Sequence, residues 1–297
     1  MMKISAEKIT QAFVCDTANG QDGAIYGGYM FRFDHDGSCR VFAMDTYKEI
    51  SAFRLDKSDL ITAHCNAVCF GSDFYDEKDS FPLLYANVYN SYMNERDRME
   101  GVCCVYRITN EGKEFSSKLV QIIKIGFTEN LDLWKSLENN RDLRPYGNFV
   151  VDTDRKKYYG FVMRDKEKVT RFFEFDLPEY TAGTYSGIYG ANVLTLNEED
   201  IINQFDCEYS SLLQGACYYD GKIFSVEGGT VPQDEEKRKN FPFMPRLLIA
   251  DAVNRKQFAF FDLYPIGLDH EPEFICYYDG KLYYSDIRGK VYTLSFE

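Results

Sequence analysis

No stretch of 18 apolar residues occurs in this chain, so no membrane-spanning helix is expected. The N-terminal MMKISAEKITQ has no apolar core region, so no secretory leader is expected either. Basic charge is scarce: 34 Lys and Arg stand against 47 Asp and Glu, a net charge of −13, and no basic stripe offsets it. Such a surface repels phosphate backbones and anionic lipid, which sets aside nucleic acid and membrane as partners. The bland reading of the same charge is solubility. G-x-S-x-G, P-loop and H-E-x-x-H motifs are all absent, so no familiar hydrolase, nucleotide or zinc-protease site is written in the chain. Nine cysteines form an odd set without regular spacing, nearly all inside apolar runs such as AVCF and GVCCVYRI. That pattern argues against a disulfide framework and for a reducing, cytoplasmic compartment.

Aromatic residues are what the chain has in plenty, with 24 Phe and 23 Tyr beside a single Trp. Flat rings pack well on a pleated surface, so the composition points to strands. The hexapeptide CYYDGK occurs twice, at Cys217–Lys222 and Cys276–Lys281. In both copies an apolar run meets an Asp-Gly pair and a second aromatic-rich run follows. Asp-Gly tolerates the positive φ angles of a two-residue turn, so both copies read as β-hairpins. Weaker copies lie upstream, in 9–31 with Asp16 at the turn, in 146–165 with Asp152, and in 64–90 with a longer loop.

Two further strand candidates follow each of the first four hairpins: CRVFAMD and EISAFRL, GVCCVYRI and LVQIIKIGF, TRFFEFDL and NVLTL, RLLIADA and QFAFFDL. A repeated four-stranded meander is the pattern of propeller blades. Only GKVYTLSF follows the fifth hairpin, while MKIS at 2–5 is a strand without a blade. An open ring would leave unpaired edges, so the spare strand is expected to complete the last blade. The reading is an all-β, five-bladed β-propeller, with blades at 9–57, 61–127, 144–196, 210–264 and 270–297 plus 2–5. A β-sandwich or two small β domains is the competing architecture. The segments 128–143 and 197–205 read as helical connections.

In such a ring each blade's first strand lines the central channel, and the second strand returns to the face where the first began. Gln11, His64, Asn66, Asn148, Gln214, His270, Glu271 and Glu273 should then meet Asn87, Arg164, Asp165, Glu227 and Asp286 at one channel mouth. Polar residues there satisfy channel waters and one another in one reading, and hold a small polar ligand in the other. His64, His270, Glu271 and Glu273 also leave room for a channel-bound cation, whereas His35 reads as a surface residue. His64-Cys65 with Cys69 looks metal-like, but strand alternation puts His64 and Cys65 on opposite faces. The long connections 90–101, 128–143 and 230–245 fall on the same face, the last charged at its tip as a lid would be.

ITQAF (9–13), LLYANVYN (83–90) and LQGACYYDGKIFSVEGG (213–229) resemble glutaminyl-cyclase-type propellers. The resemblance implies the five-bladed fold over essentially the whole chain. The acidic residue that family carries early in its second strand is missing after Gln11, Glu227 lies a position away from it, and the family's tryptophans are absent. The activity is therefore not carried over.

Three roles remain open. The first is a binding propeller for a small polar molecule or sugar. The second is a glycosidase or lyase using Glu227, Glu273, Asp286 or His64. The third is a protein-interaction platform. Oligomeric state is not legible.

Overall fold

The computed structural model describes residues 3–9, 20–61, 63–88, 101–126 and 147–297. Strand β1 (Ile4–Lys8) precedes four strands of the first sheet, β2 (Gly20–Tyr26), β3 (Tyr29–Asp34), β4 (Ser38–Ala43) and β5 (Glu49–Arg54). The second sheet is built on β6 (Val68–Phe70), β7 (Leu84–Val88), β8 (Val102–Glu111) and β9 (Glu114–Ile125). The third begins with β10 (Asn148–Asp152), β11 (Lys157–Arg164) and β12 (Val169–Asp176).

After these come β13 (Thr184–Ser186), β14 (Ala191–Leu196) and β15 (Asn203–Glu208). The fourth sheet is β16 (Leu213–Tyr219), β17 (Lys222–Glu227), β18 (Arg246–Asp251) and β19 (Lys256–Asp262). The last is β20 (Pro272–Tyr278), β21 (Lys281–Asp286) and β22 (Val291–Phe296), with β1 on its outer edge. The five sheets form a ring in which β2, β6, β10, β16 and β20 each adjoin the next around the centre. This is a five-bladed β-propeller.

The ring closes as the spare-strand argument expects. β1 runs antiparallel to β22, with Ile4 opposite Phe296 and Lys8 opposite Tyr292. Lys3 and Glu297 exchange both backbone hydrogen bonds, at 2.8 and 3.0 Å, and the Ile9 N–H reaches the Val291 carbonyl. The strand lies two residues further along the chain than 2–5.

The inner β6 and β10 are buried along their whole length, whereas the outer β15 shows every second residue to solvent. That is why inner strands read as continuous apolar runs and outer ones as alternating. Rings fill the spaces between blades. Phe31 of the first blade meets Phe70, Phe81 and Phe115 of the second at 5.3–5.7 Å.

Both CYYDGK copies turn where expected. Asp220 and Gly221 have φ of 46° and 72°, and Asp279 and Gly280 of 47° and 76°, the pair of positive values a tight hairpin requires.

Three expectations are corrected. The first blade's inner hairpin is β2–β3, turning at Gly27–Gly28; Asp16 lies outside the described residues. NVLTL does not complete the third blade: β14 pairs in parallel with β9, extending the second sheet to six strands together with β13. The third blade's outer strand is β15, whose first half falls in the segment read as a helix; within that segment only Glu198–Asp200 forms a short 3-10 turn. The segment 128–143 lies outside the described residues.

Among the described residues no helix is long and apolar enough to cross a membrane. The eight described cysteines are all buried free thiols.

Candidate functional site

The centre of the ring is held by a residue that sequence reasoning missed. Asp22 of β2 is fully buried, and its carboxylate accepts backbone N–H groups from three other inner strands. Val68 and Ala216 donate to Oδ2 at 2.9 and 3.2 Å, and Ile275 to Oδ1 at 3.4 Å. One side chain thus joins the first blade to the second, fourth and fifth. Gly215 makes the room, because a Cβ there would lie 2.8 Å from Asp22 Oδ1. Burial pushes the Asp22 carboxyl up to about 8, against the pull of the N–H groups and of Arg32.

Counted back from the turns, Gln21, Gln214 and Glu273 occupy one register, five residues before Tyr26, Tyr219 and Tyr278. All three strands are irregular there, with register shifts at Gly20/Gly23, Leu213/Ala216 and Pro272/Phe274. Such bulges re-aim side chains that a regular ladder would bury between blades.

The expected amides do converge. Asn66 Nδ2 donates to Asn148 Oδ1 (3.2 Å) and to the Leu213 carbonyl (3.0 Å). Asn87 Nδ2 donates to Asn148 Oδ1 (3.1 Å) and to the Gly147 carbonyl (3.0 Å), while its Oδ1 accepts from Ala67 N–H. Asn148 Nδ2 in turn donates to the Gln214 carbonyl. These amides stitch the second, third and fourth blades together, and their hydrogen bonds go to one another and to backbone groups of the inner strands. Gln214 Nε2 continues the chain to Glu271 Oε1 at 2.6 Å, reaching the fifth blade.

Charge gathers on the fifth-blade side. Burial raises the Glu271 carboxyl, and the Gln214 bond opposes it. Glu273, 2% exposed, is raised further, by burial first and then by the Glu271 charge; Arg32 opposes this, and Asp22 and Asp286 add to it. Arg32 is itself 5% exposed, with its guanidinium 4.5 Å over the Phe274 ring. Its Nη1 and the Gln21 Oε1 are both buried without a hydrogen-bond partner among the described residues.

The other expected residues lie elsewhere or are engaged. His64 is half-buried with its ring 6.3 Å from that of His35, and burial lowers it to about 4, leaving it neutral. His35 is exposed, as expected. His270 Nδ1 pairs with Asp269 at 2.7 Å. Asp286 caps its own turn, accepting from the Arg288 N–H and from Arg288 Nε, each at 3.0 Å. Glu227 is buried between the third and fourth blades, 3.7 Å from Arg246. Burial raises it to about 7, with Ser210 and Arg246 opposing and Glu208 adding. Arg164 lies 5.9 Å over the Phe173 ring, and Asp165 accepts the Tyr209 hydroxyl. Gln11 lies outside the described residues.

Glu227 and Asp286 therefore do not form a free acid pair with Glu273: one faces Arg246, the other is held by Arg288. Among the described residues no three His, Cys, Asp or Glu side chains are grouped as a metal site. The connection 230–245 is anchored at both ends, by Gly229 N–H to Phe243 O and Leu263 N–H to Pro245 O, and carries the short exposed helix α1 (Glu235–Lys239).

Asp22 had one usable signal. QDGAIYGG follows the same order as QGACYYDG, so Asp22 falls where Gly215 gives up its side chain.

No protein-family model matches the chain, and no curated protein matches it in sequence. Among solved structures it is similar to the glutaminyl cyclase of Myxococcus xanthus, at 11% identity and a TM-score of 0.48, over 99% of this chain and 94% of that one. It is also similar to the hydrazine synthase of Kuenenia stuttgartiensis, at 12% identity and a TM-score of 0.43, over 89% of this chain and 61% of that one. A third likeness is to Sqt1 of Saccharomyces cerevisiae, at 8% identity and a TM-score of 0.36, over 90% and 55%. The strand pairing itself makes the chain a five-bladed β-propeller closed by its N-terminal strand.

Proposed function

We propose that this propeller binds a small polar molecule, of the carbohydrate or polyol kind, at the channel mouth where the inner strands begin. The observation that carries the reading is the buried Arg32 Nη1, without a partner among the described residues and set beside Glu273 and Asp22. A buried guanidinium donor left unpaired is costly, and a ligand oxygen is what would satisfy it. Gln21 Oε1 offers a matching unpaired acceptor. Carboxyls raised by burial add donors, so the site suits hydroxyls and carbonyls.

A thermal-shift screen with sugars, polyols and small hydroxy acids tests this. A stabilising compound whose effect is lost in Glu273→Gln and Gln21→Ala is the expected result. A screen without any stabiliser, or an unchanged shift in both variants, refutes it.

A second reading rests on the raised, mutually adjacent Glu271 and Glu273. Two neighbouring carboxyls, each raised by burial, suit acid–base chemistry on a glycoside. Turnover of aryl glycosides or uronides that disappears in Glu273→Gln supports it; none by the intact protein removes it. Buried unbridged thiols support a cytoplasmic location.

A further inference from the structure

The opposite end of the channel, where the inner strands finish, opens into a cavity of about 440 Å³. All five blades contribute to it. Its walls are aromatic, made by Tyr26, Phe70, Phe74, Tyr219, Tyr277 and Tyr278. Tyr219 and Tyr277 stack with centroids 3.6 Å apart and planes 11° apart, forming a double-ring wall. Phe74 and Tyr219 are 40% and 45% exposed, so ring surface is offered to whatever enters. Deeper in the channel, the thiols of Cys69, Cys217 and Cys276 take the next places along their strands.

Among the described residues no Lys, Arg, His, Asp or Glu lines this cavity. Carboxylates stand close to it. Asp220 and Asp279 occupy the turn positions directly after Tyr219 and Tyr278. Asp154 accepts the hydroxyl of Tyr218 at 2.8 Å. The nearby cations are mostly engaged: Lys222 by Asp251 at 3.1 Å and Lys156 by Asp73 at 2.8 Å. Lys281 lies in an adjoining groove with Tyr47 and Tyr283.

Ring faces are electron-rich, and a cation over them is attracted most when it sheds little water. A methylated ammonium has no N–H to satisfy, so a cavity without charged side chains costs it nothing in lost hydrogen bonds. The carboxylates at the rim then set the sign of what approaches. The volume lies within the range of small-molecule sites. We infer that this cavity binds a small organic cation, a quaternary or fully methylated ammonium group, with its charge against the Tyr219–Tyr277 wall. This second site lies at the other end of the channel from the polar mouth and does not depend on it.

Titration calorimetry of the full chain with choline, and with its neutral isostere 3,3-dimethyl-1-butanol, separates charge from shape. Choline is expected to bind at least about tenfold more tightly than the isostere. Tyr219→Ala should weaken choline about fivefold, and Asp220→Asn with Asp279→Asn should weaken choline while leaving the isostere unchanged. Asn tolerates positive φ, so the turns survive. Should Tyr219→Ala fail to fold, Phe74→Ala tests the same wall. Glu273→Gln should leave choline binding as it was. No choline binding, equal affinity for the isostere, or indifference to the wall substitutions each overturns the inference.

Discussion

Replacing Asp22 with alanine should damage the protein more than any surface change, because one carboxylate serves three blades besides its own. The substitution strands the N–H groups of Val68, Ala216 and Ile275, now at 2.9, 3.2 and 3.4 Å from acceptor oxygens. A buried donor left unpaired costs about 1–3 kcal/mol. Three of them set a loss of about 3 kcal/mol at the low end, a large part of the 5–15 kcal/mol that holds a typical domain folded. Asp22→Asn keeps one carbonyl acceptor and should lose roughly half as much.

Asp36→Ala is the control. Its carboxylate caps the part-buried Ser38 N–H and lies 3.8 Å from the exposed Arg54 guanidinium, and the loss should stay under about 1 kcal/mol. Guanidinium unfolding followed by circular dichroism measures all three. Asp22→Ala within 1 kcal/mol of the parent, at an unchanged denaturant slope, would refute the central role given to this side chain.

The buried acids also fix a pH dependence. Asp22, raised to about 8, and Glu227, raised to about 7, hold protons in the folded chain that the unfolded chain releases near 4. Their stabilising contribution is complete below about pH 4 and is lost as the pH rises through 7 to 8. The denaturation midpoint should therefore fall between pH 6 and pH 9, and Glu227→Gln should flatten that fall; a midpoint rising over this range contradicts the assignment. Gly215→Ala places a Cβ 2.8 Å from both Asp22 Oδ1 and the Glu273 carbonyl, and should cost about 1–3 kcal/mol by chemical denaturation. Gly23→Ala, with its Cβ 2.1 Å from the Phe31 carbonyl, should be worse and yield little soluble protein.

Local chemistry explains which features were legible in the sequence. Asp220-Gly221 and Asp279-Gly280 specify their turns by themselves, so the fourth and fifth blades could be read directly. Asn66, Asn148 and Gln214 could be placed because they open inner strands. NVLTL looks like the third blade's outer strand and 197–205 like a helix, and only the long-range parallel pairing of β14 with β9 leaves that place to β15. Asp22 was hidden for a similar reason, since the N–H groups that its side chain accepts from outside β2 all come from other blades. Asp286 misled in the opposite sense, as a carboxylate near the mouth that binds its own turn.

Closure of the ring by the N-terminal strand positions everything else, and native-state hydrogen exchange tests it directly. The amides of Ser5, Glu7 and Ile9, the alternate ones of this edge strand that point at β22, should exchange as slowly as the β22 amides themselves. Exchange of Ser5, Glu7 and Ile9 at the rate of a free peptide, while β22 stays protected, would contradict the closed propeller and the channel built on it.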